Sequence, residues 1–224
     1  MNKIYKTLLI LTIATTLSSL NIACQKITEV EAINDRAVEK VAQKDYQGAL
    51  TDYNKAIEKD PNDAMLYNNR ANAHFQAKNY EQALKDYNQA IKINPEMADA
   101  YYNRAYAKQR LADLKGALSD YNKALEFATD DSTKIKIYGN RATIHHAVKN
   151  HQNALNDYEQ VIKLQPDLPQ IYSNRANIYY QQGKIQQAIT DFRKAAELYQ
   201  QQGNIESQQQ LQAIVSKIEE GGRL

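Results

Sequence analysis

The sequence predicts an all-α protein, an α-solenoid of paired antiparallel helices closed by one further helix at its C-terminal end. The chain of 224 residues repeats itself at an interval of 34, and periods of about 20–50 residues mark stacked units that cannot bury their apolar faces alone. Seven Gly and four Pro leave little room for the many tight turns of an all-β chain. With 43% hydrophobic and 24% charged residues, the composition is that of a soluble body, neither disordered nor polytopic. A single Cys excludes a disulfide framework and any cysteine-based zinc site.

Residues 1–24 read MNKIYKTLLILTIATTLSSLNIAC. Basic Lys3 and Lys6 precede an apolar, acid-free stretch from Thr7 to Leu20 and the small residue Ala23, which is the layout of a secretory signal peptide over 1–23. With those two lysines set aside, 26 bases face 26 acids. Zero net charge removes the electrostatic reason to expect a nucleic-acid partner. Ile22-Ala23-Cys24 resembles the end of the motif at which bacterial lipoproteins are cleaved and diacylated, with Asn21 where that motif usually has Leu. The resemblance implies lipid attachment at Cys24, a short tether over 24–29, and an exported protein anchored to a membrane and facing the periplasm or cell exterior. A plain export signal and an uncleaved anchor are the alternatives.

From residue 30 the repeat takes over. Ala49-Leu50-Thr51-Asp52-Tyr53 recurs as Ala83-Leu84-Lys85-Asp86-Tyr87, Ala117-Leu118-Ser119-Asp120-Tyr121, Ala154-Leu155-Asn156-Asp157-Tyr158 and Ala188-Ile189-Thr190-Asp191-Phe192, at spacings of 34, 34, 37 and 34. Upstream of each lies an Arg-Ala pair: Arg36-Ala37, Arg70-Ala71, Arg104-Ala105, Arg141-Ala142 and Arg175-Ala176. Tyr67, Tyr101, Tyr138 and Tyr172 stand three residues before the Arg, and Pro61, Pro95 and Pro166 close three of the units. This pattern strongly resembles the tetratricopeptide repeat. It implies five helix-turn-helix repeats over 30–202, at 30–63, 64–97, 98–131, 135–168 and 169–202. Alanines such as Ala71 and Ala83 sit where two backbones approach, and a larger side chain there would overpack by about 1–3 kcal/mol. Between the third and fourth repeats, three extra residues near Asp131 predict a local change of pitch, with Ser132 or Thr133 as N-cap. Beyond Gln202, Ile205, Leu211, Ile214, Val215 and Ile218 keep helical spacing among polar residues. Residues 204–220 therefore read as a capping helix that covers the last raw apolar face.

Sites of chemistry are sparse. There is no Gly-rich phosphate loop, nucleophile elbow or Cys nucleophile. His145, His146 and His151 lack metal-ligand spacing and read as packing and surface positions. The sequence thus predicts no enzyme, cofactor or metal. In tetratricopeptide arrays the first helices line a concave groove that holds an extended peptide or a partner's helix. By register the lining here comprises Asn69, Asn103, Asn140 and Asn174, with Asn72, Tyr106 and Asn177 one turn on, and Phe75, His146 and Tyr180 further along. Recurrent Asn resembles the asparagine ladders that hold peptide backbones; the alternative is that these amides satisfy neighbouring helix ends. A carboxylate clamp is only partly matched: Asn72, Asn103 and Lys136 fit, whereas Asn68 and Asn140 replace its cations.

Each repeat also pairs an Arg with an Asp sixteen residues later, from Arg36/Asp52 through Arg70/Asp86, Arg104/Asp120 and Arg141/Asp157 to Arg175/Asp191. These are expected to form a ladder of charge-assisted hydrogen bonds, within a repeat or across to the next. The reading is a non-enzymatic protein-interaction scaffold at a bacterial envelope membrane, with a protein or peptide partner. A self-associating solenoid is the alternative, and a metal-dependent enzyme a more distant one.

Overall fold

The computed structural model describes residues 27–222. The expected signal peptide over 1–23 and the expected lipid attachment at Cys24 lie outside the described residues. Among the described residues there are eleven helices and no strand. They divide into two compact halves, the boundary falling between Asp113 and Leu114.

The first half holds α1 (27–42), α2 (Tyr46–Lys59), α3 (Ala64–Gln76), α4 (Tyr80–Ile93) and α5 (Ala98–Arg110). Residues 27–29, expected as tether, already belong to α1. Each turn has a local cause. Asp45 and Asp63 cap α2 and α3 by accepting from the backbone N–H of Gly48 and Met65, satisfying donors that a helix start leaves orphaned. Lys44, Lys78 and Ala112 end the first helix of each pair at φ 61–63°. A side chain tolerates this left-handed conformation at a cost that glycine avoids. Packing is built on alanine: Ala71, Ala83 and Ala107 surround the ring of Tyr87, and Ala37, Ala49 and Ala73 surround that of Tyr53. These alanines are fully buried, which is why helix pairs come close enough to sandwich an aromatic ring.

The second half holds α6 (Leu114–Phe127), α7 (Asp131–Ala147), α8 (His151–Leu164), α9 (Pro169–Gln181), α10 (Ile185–Gln201) and α11 (Ile205–Glu219). Here the sequence expectation needs correcting. The cap of α7 is Asp130, which accepts from the Thr133 N–H, and not Ser132 or Thr133. The extra residues lengthen the helix instead of the loop: α7 has 17 residues where α3, α5 and α9 have 13. Gly183 makes at φ 72° the turn that Lys149 makes at 60°. At the C-terminal end Leu211, Val215 and Ile218 of α11 join Phe192, Ala195 and Ala196 of α10 in one core. Ile205, expected on that apolar face, is the first residue of α11 and is exposed. No helix among the described residues is long and apolar enough to cross a membrane.

Candidate functional site

The frame of the site is the Arg–Asp ladder. Arg70 donates through Nε and Nη2 to the two carboxylate oxygens of Asp86, each at 2.7 Å. Arg36 forks Asp52 in the same way, at 2.7 and 2.8 Å, as do Arg141 with Asp157 and Arg175 with Asp191. Arg104 lies in the first half and Asp120 in the second. The choice left open by the sequence is settled: the carboxylate comes from the same repeat. The link to the preceding repeat is a residue that sequence reasoning missed. Arg70 gives its Nη1 to Asn54 Oδ1 at 2.8 Å, Arg104 to Asn88 at 2.7 Å and Arg141 to Asn122 at 2.6 Å. The signal was present, since these Asn residues directly follow the Tyr of the repeated Asp-Tyr pair. Under each interior Arg lies a Tyr ring, Tyr67, Tyr101, Tyr138 or Tyr172, at 5.4–5.7 Å from the guanidinium carbon. Bonding to Asp86 raises the Arg70 pKa, and bonding to Asp191 raises that of Arg175, so both stay charged and oriented.

On this frame the expected groove residues fall into two groups. In the first half Asn72, Phe75, Asn103 and Tyr106 converge on one cavity of about 350 Å³, with Val41, Gln76, Tyr87 and Tyr102 completing its wall. The Phe75 and Tyr106 rings stand 5.3 Å apart, and Tyr80 backs Phe75 at 5.2 Å. Two amides on the wall have their orientation set. The Tyr87 hydroxyl donates to Asn72 Oδ1 at 2.7 Å, which leaves the Asn72 Nδ2 group as a donor. Asn103 Nδ2 donates to Asn68 Oδ1 at 3.1 Å, which leaves Asn103 Oδ1 as an acceptor. Burial pushes the Tyr87 phenol well above its ordinary pKa, so it remains a donor at any physiological pH.

The asparagines also bond one another. Asn69 Nδ2 reaches back to Asn34 Oδ1 at 3.1 Å, as Asn103 does to Asn68. The partners are side-chain amides of the preceding repeat, not helix ends, so part of the Asn series joins repeats together. Asn68 is buried and held in this bond, which removes it from any clamp. In the second half, Asn174 and Thr143 hold the hydroxyl of Tyr158, whose pKa burial raises. Asn177 is exposed, Asn140, His146 and Tyr180 are half-buried, and Tyr180 packs against the α10–α11 core. His74 and His145 lie beside the Arg70–Asp86 and Arg141–Asp157 rungs, and burial lowers the pKa of both. Among the described residues no three His, Cys, Asp or Glu side chains converge in a way that could hold a metal ion.

Comparison with known proteins gives the same picture. Family models described as tetratricopeptide repeat match residues 64–97, 98–131 and 142–213, and one described as TPR repeat matches 39–78. No curated protein matches the chain. Among solved structures, that of MamA is 19% identical with a TM-score of 0.69, covering 75% of this chain and 96% of that one. YrrB, described as a TPR protein with an unusual peptide-binding site, is 20% identical with a TM-score of 0.62, covering 74% of this chain and 84% of its own. The first TPR of Spaghetti (RPAP3), bound to an HSP90 peptide, is 27% identical with a TM-score of 0.50, covering 54% of this chain and 93% of that one.

Proposed function

Since the chain belongs to the tetratricopeptide-repeat family, we propose that it is a non-enzymatic interaction scaffold that binds an extended, weakly charged peptide segment. The carrying observation is the convergence of Asn72, Phe75, Asn103 and Tyr106 on one cavity. The Asn72 donor and the Asn103 acceptor suit the C=O and N–H of a peptide backbone, while Phe75 and Tyr106 receive an apolar side chain between them. Each such hydrogen bond contributes only about 0.5–1.5 kcal/mol net, so affinity in the micromolar range is expected once the peptide's ordering cost is subtracted. The cavity wall carries no formal charge, which predicts binding that depends weakly on salt. Peptide-binding sites described for YrrB and for the first TPR of Spaghetti (RPAP3) support the reading.

We further propose that the protein is exported and held at a bacterial envelope membrane by lipid on Cys24, on the strength of the leader alone. Crosslinking pull-down from intact envelopes would identify the partner. The affinity of its binding segment for Asn103→Ala and Phe75→Ala variants, at low and high salt, tests the site. Unchanged affinity in both variants places the partner elsewhere. For the anchor, Cys24→Ser protein is expected to leave the membrane fraction; retention after a high-salt wash, with no acyl group by mass spectrometry on the parent, overturns it.

A further inference from the structure

We propose that His146 and His151 form a two-histidine site for a late divalent transition ion, Zn(II) or Cu(II), at the turn between α7 and α8. Their ring centroids lie 5.6 Å apart with the planes at 52°. Two imidazoles on one tetrahedral ion, with metal–nitrogen bonds of about 2.0–2.1 Å, hold their ring centres roughly 5 Å apart. The observed separation is close to that spacing.

The juxtaposition is a property of the repeat. The same two places in the second repeat hold Phe75 and Tyr80, whose rings meet at 5.2 Å. A backbone that elsewhere brings two aromatic rings together here brings together two potential ligands. It is also a firm platform. Lys149 N–H donates to the His146 carbonyl at 2.9 Å and Asn150 N–H to the His145 carbonyl at 2.8 Å, so the turn between the two helices is pinned at both ends. Sites carried on such elements keep their ligands in place without a bound ion.

Nδ1 of His146 and Nδ1 of His151 are both buried without a hydrogen-bond partner, and unsatisfied buried polar atoms call for an explanation. His74 and His145 share that orphaned nitrogen, but the close pair of rings is what distinguishes this turn. Imidazole selects Zn(II), Cu(II) and Ni(II) over the hard ions Mg(II) and Ca(II). With two protein ligands and no third among the described residues, the remaining positions are open to water. The site is therefore an exchangeable one and not a structural staple. It stands apart from the peptide-binding reading, whose cavity lies in the other half.

The test is titration of the full chain, in detergent where its leader requires it, with ZnCl₂, CuCl₂ and MgCl₂ near neutral pH. NMR of the histidine rings is expected to show His146 and His151 shifting together with Zn(II) while His74 stays unmoved. His146→Gln and His151→Gln should each weaken Zn(II) binding at least about tenfold, the loss that even an outer-shell partner can cost. His145→Gln, one residue away, should leave it unchanged. An unaltered thermal midpoint in each variant shows that the fold is intact. Binding within about twofold of the parent in either single variant, or equal binding of Mg(II), overturns the proposal.

Discussion

The same Arg–Asp fork occurs in the first repeat and in the interior ones, yet its surroundings differ. The Arg70, Arg141 and Arg175 side chains are 17–20% exposed, that of Arg36 51%. Arg70 and Arg141 give their Nη1 to an Asn of the preceding repeat, and Tyr67 and Tyr138 support them from below. Arg36 has no preceding repeat, and Ile33 occupies the place of the Tyr. Lys40 compensates by adding a third charge-assisted bond to Asp52 at 2.6 Å, where the second and fourth repeats place His74 and His145. At the other end the pattern is closed off. Arg193 takes the place of Asn54, Asn88 and Asn122 and pairs with Glu219 of α11, and Gln209 stands in the register of the Arg. An identical sequence pair is thus a buried joint in the interior and a surface ion pair at the edge.

The largest effect is expected from Asp157→Ala. It strands the mostly buried Arg141 guanidinium without its carboxylate and should cost about 3–5 kcal/mol, read as a lowered urea midpoint of the second half. Asn122→Ala removes only the link between repeats and should cost about 1 kcal/mol. A loss as large as that of Asp157→Ala would mean that the cross-repeat bond carries the joint.

Acid should separate the two regions next. His145 is held below its ordinary pKa by burial, so the unfolded chain binds the proton more readily. Its contribution is complete above about pH 6.5 and declines as pH falls from there toward the lower folded value. His145→Gln should flatten the stability profile of the second half in that window. The Asp52 carboxyl is held well below the usual carboxylate range, chiefly by its bond to Arg36. Its contribution persists through that window and is lost only below about pH 4, the ordinary carboxylate value. Smallest of all is Arg36→Gln. With the guanidinium half in water and Lys40 still on Asp52, its thermal midpoint should fall less than that of Arg141→Gln. Equal falls would erase the distinction between edge and interior.

Much of this was legible without coordinates. Helix pairs, their order and the capping helix follow from period and pattern, because a solenoid makes mostly local contacts and each repeat restates the same instructions. The Arg–Asp partnership was legible for the same reason. The length of α7 was not, since whether three extra residues loop out or extend a helix depends on which side chain caps it, and Asp130 won. The candidate site was legible in part. Asn72, Phe75, Asn103 and Tyr106 do share one cavity, whereas Asn69 is taken up by Asn34 and Asn177 faces open solvent.

By itself, then, the sequence determined the family, the repeat and the residue types along the first helices of the repeats, all of which are periodic along the chain. Only the tertiary structure decided which amide atoms remain unused, which Arg is buried and which two rings touch. Those depend on what the neighbouring repeat presents at distances near 3 Å for the amides, and period alone does not encode them.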